Sequence, residues 1–317
     1  MRKFGIGTAV IAVVLMWLAL PVQRMGVCAE TWRLGEGGQW QQATGNKQEE
    51  FLLRVAQIKK LVDAGQPSKV RKAAKQLKAD FPEIAGKDID SFIEAEVLLA
   101  RGKLTKAVKQ YEKFLDDYPG SSLRDAALER EFEVGTEFLG GRKKTILIFR
   151  VRGYDDGVKI MEKISDRAGS ADIAKRASLA VAQSYEKRRK YDEAYLKWSE
   201  ISTRWPTGET GKDALLAMAR TKYAVFRGPA YDGSGLISAK SYYENFKLRY
   251  PEEAQKLRVD EILSRIGEQL AEKNLQIAKY YSRTGSTGPA NMYYQMVVDN
   301  WPQSKAAQTA KEKLNQK

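Results

Sequence analysis

Gly102-Lys103-Leu104-Thr105-Lys106-Ala107-Val108-Lys109-Gln110-Tyr111-Glu112-Lys113-Phe114-Leu115-Asp116-Asp117-Tyr118-Pro119 is the stretch that decides the fold. A small residue, Ala107, is followed four positions later by Tyr111, eleven later by Tyr118 and twelve later by Pro119. Positions 0, +4 and +11 fall on one face of a helix with about 3.6 residues per turn. The alanine lets a neighbouring helix approach. Tyr111 fills the space between the two helices, and Tyr118 plugs its end. Proline then stops the helix, because it lacks the N–H and crowds the preceding turn. Gly102, five residues before Ala107, stands where a tight turn between two helices needs one.

The frame recurs along the chain. Ala194, Trp198, Trp205 and Pro206 repeat it, then Ala239, Tyr243, Tyr250 and Pro251, then Ala290, Tyr294, Trp301 and Pro302. An earlier copy reads Val70, Ala74, Phe81, Pro82, and a degraded one runs from Tyr154 through Gly157 and Met161 to Gly169. Five of the nine prolines share this frame, more than chance readily produces. Upstream pairs, Ala182 with Tyr185 and Ala278 with Tyr281, mark partner helices, and Gly65 and Gly285 repeat the role of Gly102. Such a two-helix unit resembles the tetratricopeptide repeat, whose regular length is about 34 residues. The stops, with Gly169 standing in for the degraded copy, are 37, 50, 37, 45 and 51 residues apart, so insertions or longer helices absorb the excess. Gly140–Gly153 is one insertion. Arg227–Ser238 reads as a loop, and Glu252–Arg283 as one very long helix or two joined end to end. Ser304 suits the cap of a terminal helix. The expected fold is all-α: a tetratricopeptide-like helical-hairpin solenoid of about six repeats over residues 49–317, with period-two alternation only near Ile146–Arg152.

Ahead of the repeats, residues 1–29 read as a signal peptide. Arg2 and Lys3 precede an uncharged apolar run, Ile6 to Val22, and small residues at Val27 and Ala29 suit cleavage after Ala29. A retained membrane anchor is a second reading, although a run of about 17 residues is at the short limit for a spanning helix. A third is lipidation of Cys28, against which Met25 and Val27 stand where lipoprotein signals usually carry Leu and a small residue. Cleavage after Ala29 would remove Arg2, Lys3 and Arg24, lowering the formal charge from +14 to +11, and would take away the only cysteine. Residues 30–48, rich in Gly and Gln, read as a tether whose Trp32 and Trp40 either pack on the first helices or anchor a partner.

The chain of 317 residues has no histidine and one cysteine. This removes the usual general base, the Ser/His and Cys/His pairs, and the commonest metal ligands. Adjacent acids such as Asp116-Asp117 or Glu252-Glu253 point about 100° apart on a helix and do not share a substrate. Gly140-Gly141 and Gly233-Ser234-Gly235 lack the strand, lysine and spacing of a phosphate loop. No catalytic residue, cofactor, metal site or small-molecule substrate is expected, nor is nucleic acid. Lys and Arg stand beside acids, as in Glu129-Arg130-Glu131 or Glu186-Lys187-Arg188-Arg189-Lys190, which reads as solvated helix surface; the alternatives for the basic balance are contact with anionic lipid headgroups, an acidic partner or a polyanionic wall polymer. The segment Arg142, Lys143, Lys144, Ile148, Phe149, Arg150 and Arg152 stands apart, with basic residues around an apolar run. Buried, it would cap a helix pair; exposed, it would contact a partner or the periphery of the outer membrane.

The export signal, Gly102…Ala107…Tyr111…Tyr118-Pro119-Gly120-Ser121, the residues from Ala126 onward, and the long helix before Ala278-Lys279-Tyr280-Tyr281 together resemble the BamD (YfiO) family over about residues 50–316. These are tetratricopeptide lipoproteins of the outer-membrane β-barrel assembly machinery. The resemblance implies an elongated solenoid, a lipid anchor, and binding to a barrel-forming subunit and its unfolded barrel substrates. Family members have five repeats, and this sequence reads nearer six. The expected function is a non-catalytic periplasmic scaffold in assembly of outer-membrane β-barrel proteins. The alternatives are a general periplasmic adaptor for envelope or cell-wall complexes, and a wall-binding or wall-degrading accessory.

Overall fold

The computed structural model describes residues 32–34, 40–42, 47–146 and 149–316. The signal segment 1–29, with Cys28, and Ile148 of the basic segment lie outside the described residues. The chain divides into two units, residues 1–56 and 57–317. In the first unit, where the sequence reads a tether, β1 (Trp32–Leu34) pairs antiparallel with β2 (Trp40–Gln42). Helix α1 (Lys47–Asp63) begins in this unit and ends in the second.

The second unit is a succession of helices: α2 (Pro67–Asp80), α3 (Lys87–Ala100), α4 (Leu104–Asp117) and α5 (Arg124–Leu139). A small hairpin, β3 (Lys143–Ile146) and β4 (Phe149–Arg152), precedes α6 (Tyr154–Ala168). Then come α7 (Asp172–Lys187), α8 (Tyr191–Arg204), α9 (Gly208–Ala224) and α10 (Ser234–Arg249). The series ends with α11 (Pro251–Lys256), α12 (Val259–Arg283), α13 (Thr287–Asn300) and α14 (Lys305–Asn315). Among the described residues the extensive helix packing joins elements one or two places apart along the chain, as α5 packs on α6 and α7, and α12 on α13 and α14, with the ion pair from Asp63 of α1 to Arg130 of α5 a longer link. This is an all-α stack of helical hairpins.

The helix ends show how proline writes this fold. Phe81, Tyr118, Trp205, Tyr250 and Trp301 all terminate helices with φ between −129° and −136° and ψ between 56° and 73°. The residue before a proline is sterically barred from the α region. Each of the five leaves the helix at that point, while its own N–H still donates to the carbonyl four residues back, as Tyr118 does to Phe114 (2.9 Å).

Between paired helices, Gly65, Gly102 and Gly285 take positive φ of 63°, 68° and 78°. In the α7–α8 turn the equivalent residue is Arg189, at φ 59°. Of the frame residues, Ala107, Tyr111, Ala194 and Ala239 are fully enclosed, and Trp198, Tyr243, Ala290 and Tyr294 nearly so. The second aromatics, Tyr118, Trp205, Tyr250 and Trp301, are half-buried, and Pro119, Pro206, Pro251 and Pro302 are exposed.

Three local features depart from a regular array. The Gly140–Gly153 insertion forms the hairpin β3–β4 in place of a short turn. The segment after Pro251 is two helices end to end, broken at Arg258 in the left-handed region (φ 53°). The expected loop Arg227–Ser238 is shorter than read, because α10 already begins at Ser234, where Asp232 accepts the Ser234 backbone N–H (3.1 Å).

Candidate functional site

The hairpin β3–β4 departs most from the repeat pattern, and its footing is specific. Gly141 has φ 92°, and a Cβ on Gly153 would lie 2.4 Å from Cδ1 of Phe138, so glycine is required at both ends. The Gly153 N–H donates to the Arg142 carbonyl (3.0 Å) and closes the neck. Lys144 pairs with Asp156 (2.6 Å), Arg142 with Glu137 (3.4 Å), and Arg152 donates to the Tyr154 hydroxyl (2.7 Å). The Arg188 guanidinium lies over the same tyrosine ring, 4.7 Å from its centroid.

Above that neck strand β4 is open to solvent. Antiparallel register pairs Lys143 with Arg152 and Lys144 with Val151. Side chains alternate along a strand. Phe149 and Val151 therefore share one face, and Arg150 and Arg152 the other. All four residues of β4 are exposed, Phe149 at 65%. The reading in which this apolar run caps a helix pair is therefore wrong for Phe149, which is exposed at the start of β4.

A groove of about 950 Å³ runs beside the hairpin, where Lys103, Lys106 and Lys109 at the start of α4 face Arg142, Lys143, Lys144 and Arg150. Seven cations and no acid line it, with Thr105, Leu104, Gly102 and Phe138 completing the wall. Lys103, Lys106, Lys109, Lys143 and Arg150 form no ion pair with a described residue. Sequence reading singled out the hairpin cations and missed the three lysines. Their three-residue spacing, which sets them along one helix flank, was the available signal.

A second cluster is buried in the first repeats. Arg130 on α5 makes a bidentate pair with Glu96 on α3 (2.8 Å for both bonds) and also reaches Asp63 and Glu133 (each 2.8 Å). Tyr111 donates its hydroxyl to the same Glu96. Burial and the adjacent Glu96 charge push the Tyr111 hydroxyl well above its ordinary pKa. Burial alone would lower Arg130, but the Glu96 hydrogen bonds and charge hold it above its usual value. Neighbouring Glu131 is 1% exposed, neither of its carboxylate oxygens has a hydrogen-bond partner, and burial pushes its pKa up to about 8. The reading of Glu129-Arg130-Glu131 as solvated surface is thus corrected for Arg130 and Glu131, while Glu129 stays partly exposed and pairs with Arg176 (2.6 Å). Helix α5 packs on α4, α6 and α7, which leaves it little outward face. Among the described residues no group of three acidic or cysteine side chains is placed to hold a metal, and no helix is long and apolar enough to cross a membrane.

Residues 92–121, which hold the last nine residues of α3, all of α4 and the Tyr118-Pro119 stop, match the tetratricopeptide repeat. No curated protein matches the chain. Among solved structures, the C-terminal part of a TPR repeat-containing protein from Cytophaga hutchinsonii is 16% identical, with a TM-score of 0.38, over 82% of this chain and 87% of that one. PilW, a widely conserved type IV pilus biogenesis factor, is also 16% identical, with a TM-score of 0.30, over 82% of this chain and 98% of that one. From Arg150 of the hairpin through α14, residues 150–317 match the YfiO outer membrane lipoprotein family, and with more than half its length in that match the chain belongs to this family.

Proposed function

We propose that this protein is a non-catalytic, exported scaffold in the assembly of outer-membrane β-barrel proteins, working on the periplasmic side. The observation that carries the reading is the family match over residues 150–317, which spans the repeats whose frame is Ala194/Trp198, Ala239/Tyr243 and Ala290/Tyr294. Tetratricopeptide arrays act by presenting repeated helix faces to other proteins. The partners in this reading are a barrel-forming subunit and its barrel substrates. The frame residues set the spacing of the binding face, and the cationic hairpin is an outward contact. Cys28, the only cysteine, is the one thiol to which a lipid could be attached. Intact mass of the exported chain tests this: acyl mass on a chain starting at Cys28 supports attachment, and a bare chain starting at Glu30 refutes it.

The scaffold reading is tested by depletion followed by quantification of outer-membrane β-barrel proteins. Their levels should fall, and a barrel-forming subunit should co-purify from detergent-solubilised envelope. Normal barrel levels with loss of wall integrity would favour a general periplasmic adaptor instead. One observation speaks for that second reading: the YfiO match begins at residue 150, whereas the earlier repeat at 92–121 matches the tetratricopeptide repeat in general.

A further inference from the structure

The hairpin combines two properties rarely left uncovered together. One face carries Phe149 and Val151, both exposed. The other carries Arg150 and Arg152, with Lys143 across from Arg152. An isolated two-stranded ribbon has little stability of its own, and bare apolar strands invite unwanted pairing. This one is nevertheless fixed at its neck by glycines and ion pairs and projects from the stack. Beside it, the groove adds Lys103, Lys106 and Lys109, without ion-pair partners among the described residues and with no acid in the lining.

Held together, these features meet both requirements of contact with a charged bilayer surface. Cations meet headgroup phosphates, and an adjacent apolar side chain enters the interfacial layer. An acidic polypeptide without apolar side chains would satisfy the cations alone and leave Phe149 in water. We infer that hairpin β3–β4 and the first turns of α4 form a docking surface for a bilayer containing anionic phospholipid. The hairpin meets the surface end-on: phosphodiester groups occupy the cationic groove on the Arg150 face, and Phe149, the β4 residue farthest from the neck, is immersed from the opposite face. The inference stands apart from the scaffold reading, since either can fail alone.

The full chain carrying Cys28→Ala and Val151→Cys has a single thiol, on the hairpin, which takes an environment-sensitive nitrobenzoxadiazole label. Phosphatidylcholine vesicles with about 30% phosphatidylglycerol should shift its emission to the blue. Vesicles of phosphatidylcholine alone should not, and about 0.5 M salt should abolish the response. The apolar residues 6–22 are common to every variant, so differences between variants report the hairpin. Lys106→Glu, Lys109→Glu and Arg150→Glu together should weaken partitioning by roughly a hundredfold or more, about fivefold per cation. All three residues are exposed, so the melting temperature should hold. Phe149→Ser should reduce the blue shift while leaving salt dependence intact. An equal response on both vesicle types overturns the inference, as does no response on the anionic one. A shift given by polyglutamate but not by vesicles also overturns it, and assigns the groove to an acidic polypeptide.

Discussion

At the scale of single residues, the frame positions differ in what they contribute. Tyr111 is fully enclosed, packs against Phe92 at a centroid distance of 5.9 Å, and ends on Glu96. Tyr111→Ala should therefore cost about 3–5 kcal/mol by chemical denaturation. Half-buried Tyr118, although it occupies an equally visible position in the sequence, should cost clearly less. Glu131 carries a pH signature. Its pKa near 8 lies above the roughly 4.5 of an unfolded chain, because burial disfavours the charged form. The neutral carboxyl is what the fold accepts. Its contribution is fully present below about pH 4.5 and is lost as pH rises through about 8, since the unfolded chain then releases the proton first. A tenfold change in proton affinity is worth about 1.4 kcal/mol, so the loss across this window amounts to a few kcal/mol. Glu131→Gln should be near neutral at pH 4.5 and stabilising at pH 8, as measured by urea midpoints. A midpoint difference that does not change with pH would refute this.

At the scale of elements, what was legible in the sequence was what sterics alone decide. Proline stops, aromatic positions and glycine turns follow from rules acting within about a dozen residues. The Glu96–Arg130 pair joins residues 34 apart and depends on three helices meeting, so no local pattern announced it. The hairpin was half legible: its charges and apolar run were read, but its exposure is decided by what packs against it. Gly157 shows why the degraded copy is degraded. It occupies the position filled by alanine in four other copies and by Val70 in the first, and a Cβ there would lie 2.7 Å from the Leu139 backbone nitrogen and 3.0 Å from the Gly135 carbonyl. Helices α5 and α6 approach too closely for a methyl. Gly157→Ala should therefore destabilise by about 1–3 kcal/mol, although alanine is the better helix former by about 1 kcal/mol. Arg189 is the converse case. It holds a left-handed φ that three equivalent turns give to glycine, and left-handed backbone costs an L-residue about 1–2 kcal/mol. Arg189→Gly should raise the melting temperature, with the gain limited by glycine's extra unfolded-state entropy to about 0.5–1 kcal/mol.

At the scale of the second unit, sequential packing determines how damage spreads. Each substantial helix contact joins neighbours in the chain, so stability is closer to a sum of repeats and interfaces than to one indivisible core. The last core, formed by α12, α13 and α14, contains Ala271, Leu275, Ala278, Tyr294, Val297, Ala306 and Ala310. Ser304 caps its final helix by accepting the Ala307 backbone N–H (3.0 Å). Tyr294→Ala removes the one large ring fully inside this cluster. Native-state hydrogen exchange should then show amides of α13 and α14 losing protection, with α12 affected toward its C-terminal half. Amides of α3 to α6, held by the Arg130 network and the Phe92–Phe114 ring contact (5.6 Å), should keep theirs. The reciprocal experiment, Arg130→Met, strands the buried Glu96 charge and should cost about 3–5 kcal/mol. It should lower protection in α3 to α5 and leave α13 and α14 unchanged. Uniform loss along the whole chain in either variant would mean that unfolding is all-or-none. It would also mean that the repeats couple over longer distances than their contacts provide.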